Sequence, residues 1–331
     1  MEATGQQSTK ASIWELQRAL TRHRKTRATH CRSMPFSSLL LLATTRIAST
    51  DEPLEYIYSC LLPRAAALSL FASALLLSRA TAVAAKKSAR LSVLQRFGRK
   101  SLLITGCSFL FAASCMYRAL NVADEGAFLC RGPKTLFNVP AAGRAVATVG
   151  ELALVVQFAS YLGDTGRRLG VRRLLSPSYT LAPAVIGECC SWLGVLTGTS
   201  RFFCAEYLFW VLIACMWAWD AAELLHRSAR RGDALVHAAL VAASLGLVAF
   251  NLAHELPHFF TAVPLNAVDG AAPARPTPFS CTQDADSPIW HERLPFFVTY
   301  FFGASTLSTA LAARYHLRGG SAATSRPASR A

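Results

Sequence analysis

Three glutamates lie inside runs that otherwise read as lipid-soluble helices: Glu151 in AVATVGELALVVQFASYL, Glu188 in YTLAPAVIGECCSWLGVLT and Glu206 in FFCAEYLFWVLIACMWAW. A charged side chain at the middle of a membrane helix costs roughly 2.5 to 3.5 kcal/mol on insertion scales, so such residues face a bundle interior or a polar cavity. Carboxylates at that depth suit proton or cation exchange, and they suit general acid–base work equally. Helical spacing sorts the polar residues into stripes. Arg144, Thr148 and Glu151 recur at i, i+4 and i+7 and share a face, as do Glu188, Ser191, Trp192, Val195 and Thr199. Glu206, Trp210, Ile213, Trp217 and Asp220 form a third stripe, and His237, Ser244, Asn251, His254 and His258 a fourth. At about 1.5 Å rise per residue, Glu151, Glu188, Glu206, Asn251 and His254 all fall in the same half of their helices, which predicts one cavity lined by these five residues. The alternative is packing alone, with each acid hydrogen-bonded across helices or paired with Arg144, Arg201 or a histidine.

His254 and His258, four apart with Glu255 between them, invite a metal-ion reading, because histidines at that spacing share a helix face. HELPH departs from HExxH by one residue, and a histidine pair beside a proline is otherwise an ordinary helix end. Pro257 is expected to terminate the helix before it. Arg201, in the short turn GTSR, is placed to hold an anionic group above Glu206 or to anchor at the interface. Trp192, Trp210 and Trp217 read chiefly as packing or interface residues. Asp220 and Glu223, beside Arg227, read as a solvated boundary cluster.

The elements that must position these groups are membrane helices. Of 331 residues 53% are hydrophobic and only 16% charged, against about 25% charged in an ordinary soluble domain. Seven spans are expected, at 61–83, 102–120, 145–162, 179–198, 202–222, 234–254 and 295–313, in an all-α polytopic transmembrane bundle occupying 58–314. A basic N-terminal tail (1–57) and a basic C-terminal tail (315–331) are expected to be disordered. The net charge of +15 sits in short segments between apolar runs. There it reports orientation and gives no ground for nucleic-acid binding. Lys86, Lys87, Arg90, Arg96, Arg99 and Lys100 load one loop, and Arg167, Arg168, Arg172 and Arg173 another. With Arg227, Arg230, Arg231 and the C-terminal arginines they fall on one side of a seven-span arrangement. The positive-inside rule makes that side cytosolic, with the N-terminus out and the C-terminus in. Of ten cysteines, Cys130 and Cys281 alone fall in the polar connections on the outer face, where a disulfide would pin the long 255–294 connection to the 121–144 loop.

An HxxxH pair in a seven-span protein resembles the alkaline-ceramidase superfamily of membrane hydrolases, whose zinc is held by such a pair and a third histidine. The chain departs from that pattern: 102–120 has no histidine, 145–162 has no aspartate, and HELPH follows the sixth span. A rhodopsin is excluded by the absence of lysine from LPFFVTYFFGASTLSTALA, and a G-protein-coupled receptor lacks its signatures in ASYLGDTG and in the seventh span. The blocks GRAVATVGELALVVQ, GECCSWLGVLT and AEYLFW, with ELPHF and the terminal TYFFG span, resemble a family of uncharacterised multi-pass membrane proteins. That resemblance implies that Glu151, Glu188, Trp192 and Glu206 act as one constellation and implies no activity.

Three function classes remain open. The first is a small-solute or cation/proton-coupled transporter or binding protein, with an outward-facing acidic cavity and a small solute, cation or lipid headgroup as partner. The second is a membrane-embedded lipid-modifying enzyme, metal-dependent or not, and the third a receptor or assembly factor without chemistry. The membrane is expected to be the plasma membrane or an endomembrane; the Ser/Thr/Arg-rich leader also fits an organelle.

Overall fold

The computed structural model describes residues 54–55, 57–86, 92–132, 135–171, 173–261 and 277–324. The expected N-terminal tail lies almost wholly outside these residues, as do 325–331. The chain divides into two units, Met1–Leu61 and Leu62–Ala331. Within the first, Ile57–Leu61 forms a π-helical turn.

Among its described residues the second unit is helical apart from three two-residue strands. Its helices are α1 (Leu62–Lys86), α2 (Ser92–Leu120), α3 (Pro140–Leu169), α4 (Ser176–Tyr179), α5 (Leu181–Thr197) and α6 (Ser200–His226). They continue as α7 (Arg231–Phe250), α8 (Leu256–Thr261), α9 (Ile289–Val298) and α10 (Ser305–Thr324). π-Helical turns at Asn251–Glu255 and Thr299–Ala304 join α7 to α8 and α9 to α10. Among the described residues, six stretches are long and apolar enough to cross a bilayer, and α5 is a shorter apolar helix of 17 residues. Large apolar side chains such as Phe71, Val149, Leu208, Leu212 and Leu245 are exposed on the helix surfaces, while buried serines, threonines and charged groups share the interior with apolar side chains. A lipid solvent selects for that pattern, since apolar surface costs nothing there and unpaired polar groups cost several kcal/mol, roughly.

Local chemistry sets several boundaries. Pro140 opens α3, where its missing N–H is no loss. Gly198 closes α5 with φ 66°, a left-handed position that lets the chain reverse into α6 within two residues. Pro257 does not end its helix as the sequence suggests. The π-turn at Asn251–Glu255 takes up the register lost to the missing proline N–H, and the helix continues through Pro257 to Thr261. α10 likewise runs to Thr324, beyond the span expected to end at 313.

Polar contacts fix the relative directions of the helices. Arg144 near the start of α3 meets Glu206 near the start of α6, and Asp220 near the end of α6 binds the backbone just after α3. α3 and α6 therefore run parallel, and α5 must return between them. The last helix parallels α3 as well: Tyr300, Ser308 and Tyr315 bond Glu151, Gln157 and Asp164 in turn. α2 is antiparallel to it, with Lys100 at Asp164 and Arg118 beside Glu151. α2 and α3 approach closely because position 150 is glycine, where an added Cβ would stand 2.5 Å from the Ser114 side chain.

One end of the bundle is closed by a small sheet, β1 (Ala123–Asp124), β2 (Leu129–Cys130) and β3 (Thr282–Gln283), antiparallel between β1 and β2 and parallel between β2 and β3. A disulfide joins Cys130 to Cys281, with Cα atoms 5.7 Å apart, and so ties the 121–139 loop to the segment preceding α9.

Candidate functional site

The three glutamates converge on one guanidinium. Arg144, 3% exposed, donates to Glu151 Oε2 at 2.7 Å, Glu188 Oε2 at 2.8 Å and Glu206 Oε1 at 3.0 Å, and stands 3.6 Å from Glu125. These residues reach the point from α3, α5, α6 and the loop after α2. Thr148 donates to Glu188 at 2.6 Å and accepts from the Trp192 indole at 3.1 Å, and the Tyr300 hydroxyl donates to Glu151 at 3.0 Å. A second guanidinium, Arg118, lies 3.2 Å from Glu125 and 3.6 Å from Glu151, over the Tyr300 ring at 5.0 Å. A third, Arg293, binds Glu255 at 2.6 Å and Asp124 at 3.1 Å and lies 4.6 Å from the Phe296 ring centroid.

Charge counting across this end is informative. Six carboxylates, Asp124, Glu125, Glu151, Glu188, Glu206 and Glu255, are bridged to three guanidiniums, Arg118, Arg144 and Arg293. His254, whose Nδ1 lies 3.1 Å from Glu255, is one more group able to carry a positive charge. Two or three negative charges are thus left for protons or an external cation to neutralise, because isolated charges in a low-dielectric interior are too costly to persist.

Beside the cluster is a cavity that is partly open to solvent; the roughly 930 Å³ of non-atom space in it includes that open part. Its charged end carries Arg118, Asp124, Glu125, Arg144, Glu151, Glu206 and Arg293, four acids against three arginines; its apolar lining includes Leu154, Trp210, Trp217, Leu247, Phe250 and Ala304. From Glu206 to Trp217 along α6 the lining spans about 16 Å. Asn251 and Trp217, both lining it and at most 3% exposed, present Nδ2 and Nε1 donors with no acceptor among the described residues.

Of the residues singled out in the sequence, Glu151, Glu206, Arg144 and Asn251 line the cavity. Glu188 and Trp192 hold the cluster from behind Arg144 and Thr148. His254 is not among the lining residues; its ring stacks on Phe250 at 5.0 Å while Nδ1 faces Glu255. His258 faces Glu292 at 3.7 Å. The two histidines share no set of ligand atoms with a third His, Cys, Asp or Glu among the described residues. Oxygens of Glu151, Glu188 and Glu206 do lie within 4.8 Å of one another, a spacing suited to a metal ion. Arg144 already stands among these three carboxylates and supplies the positive charge a metal would bring. Arg201 is exposed. Asp220 is a correction: it is not a solvated boundary group but fully buried, accepting from the N–H groups of Leu175 and Ser176 at 2.8 and 2.7 Å. From that buried position it closes the backbone between α3 and α4.

Arg118, Glu125, Asp124, Arg293 and Tyr300 were not marked by the sequence reading as site residues. The available signal was an arginine three residues before a Phe-Phe pair in HERLPFF and one at the end of an otherwise apolar run in CMYRAL. No protein-family model, no curated protein and no solved structure matches the chain, so its site is read from its own chemistry.

Proposed function

We propose that this multi-pass membrane protein binds a small solute in the cavity beside Arg144 and moves it with protons or a cation as the balancing charge. The observation that carries the reading is the surplus of carboxylates over guanidiniums on the wall of that cavity. Packing alone needs no surplus, because a buried network made for stability is best neutral and fully bonded. The unbonded donors of Asn251 and Trp217 add to this, since a closed packing core leaves few such groups.

The topology that goes with the reading has seven crossings, with α5 as the short fourth, the N-terminus outside and the C-terminus inside. The shared direction of α3 and α6 supports a crossing by α5. The Cys130–Cys281 disulfide supports an extracytoplasmic position for the Arg144 end, because disulfides persist in oxidising compartments. Lys100, Arg167 and Arg168 surround Asp164 at the other end, as the positive-inside rule asks of the cytosolic side. The cavity then faces outward.

The test is uptake of a panel of small solutes into proteoliposomes under an imposed proton gradient. At least one solute is expected to accumulate, with loss of accumulation on adding a protonophore and in Glu206→Gln. Uptake equal to empty vesicles across the panel refutes the reading.

A further inference from the structure

We infer that the occupant of this cavity is an organic amine with an apolar, ring-bearing body that carries an acceptor oxygen. The inference rests on the solute-binding reading above and names the class of solute. Four features of the site converge on it.

The first is charge. The cavity's polar end is short of positive charge even after its three arginines are counted, and Glu206, on the wall, is held at 3.0 Å by Arg144 alone among the ion pairs of the site. An ammonium entering beside Glu206 and Glu151 offsets one of the surplus negative charges; a carboxylate or phosphate entering there enlarges the surplus, and a neutral head leaves it unchanged. The second is the wall below the acids. Trp210 and Trp217 stand with ring centroids 6.4 Å apart, and Phe250 lies on the facing helix. Aromatic faces attract cations and receive apolar rings. Arg118 and Arg293 occupy the faces of Tyr300, Phe259 and Phe296, so the aromatics left for a ligand are those deeper in the cavity.

The third feature is independent of charge. The Nδ2 of Asn251 and the Nε1 of Trp217 are buried donors on the cavity wall without an acceptor among the described residues. Leaving such donors unbonded costs free energy, and an ether, hydroxyl or carbonyl oxygen on the ligand body removes that cost. The fourth is the shape of the lining, acids at one end and apolar groups at the other over about 16 Å along α6, which orders the ligand with its ammonium toward Glu206 and its body toward Trp217.

The experiment uses the full chain in lipid nanodiscs, with heats of binding corrected by empty nanodiscs. The probes share one body and differ in the head: 3-(4-methoxyphenyl)propylamine, the corresponding alcohol and the corresponding carboxylate; 3-phenylpropylamine lacks the acceptor oxygen. Saturable binding of the methoxy amine is expected, with the alcohol and the carboxylate weaker by about tenfold or more, the scale of one charge-assisted contact. Glu206→Gln is expected to weaken the amine by about the same factor and to leave the alcohol unchanged. Asn251→Leu, which leaves the acid cluster intact, is expected to reduce the preference for the methoxy amine over 3-phenylpropylamine. Alcohol or carboxylate binding as tightly as the amine overturns the amine assignment while leaving the cavity as a solute site. Absence of saturable amine binding, or an amine affinity unmoved by both variants, also overturns it; the solute-uptake panel then judges the broader reading separately.

Discussion

Replacing Arg144 by methionine keeps the length and apolar stem of the side chain and removes only the guanidinium. Three carboxylates then lose donors at 2.7, 2.8 and 3.0 Å in a setting where all of them are at most 5% exposed. Breaking a buried ion pair by deleting one partner costs about 3 to 5 kcal/mol. The three contacts do not add to three times that figure, because the orphaned acids take up protons and relieve one another. At roughly 2 to 4 °C per kcal/mol for a domain of this size, the midpoint of thermal unfolding in nanodiscs should fall by about 6 to 20 °C. The double variant Arg144→Met with Glu188→Gln removes one of the stranded charges. It should be more stable than the sum of the single variants implies, by about 1 to 3 kcal/mol. A midpoint for Arg144→Met within about 2 °C of the parent, or strict additivity in the double variant, would refute the idea that Arg144 neutralises a buried acid cluster.

Other outcomes follow from the same coordinates. Asp220→Ala strands the N–H groups of Leu175 and Ser176 and should cost about 2 to 4 kcal/mol, read in the same unfolding assay, with Asp220→Asn recovering part of it. Asp164→Asn should cost only about 1 kcal/mol, because its partners Lys100 and Arg168 are 39% and 38% exposed and screened. Gly150→Leu forces α2 away from α3 at Ser114 and should destabilise by about 1 to 3 kcal/mol or more, whereas Gly246→Ala, with open space around it, should not. Proteolysis between 262 and 276 should yield two fragments that travel together on a non-reducing gel and separate on reduction, and Cys281→Ser should abolish that link.

The sequence alone determined that this is a helical membrane protein, and it located the buried acids. Hydrophobic run length and the cost of a carboxylate in hydrocarbon are local properties, so Glu151, Glu188 and Glu206 stand out without any knowledge of neighbours. Helical periodicity placed Arg144 on the face of Glu151, and loop chemistry marked Cys130 and Cys281 as a pair. Simple local rules failed at three residues. Pro257 ends no helix because a π-turn realigns the backbone before it. Asp220 caps a backbone turn 44 residues away in sequence, and His254 turns from the cavity toward Glu255.

Which charge meets which was left to the tertiary structure. Arg118, Arg293, Asp124 and Glu125 sit near helix ends, where an isolated helix lets charged groups reach water, so nothing local separates an interfacial anchor from a buried ion pair. Packing α3, α5 and α6 around Arg144, under the disulfide-tied sheet, removes that water and turns loop charges into walls of a cavity. Composition reveals that acids are buried. The surplus of acids over arginines around one cavity exists only once the helices have met.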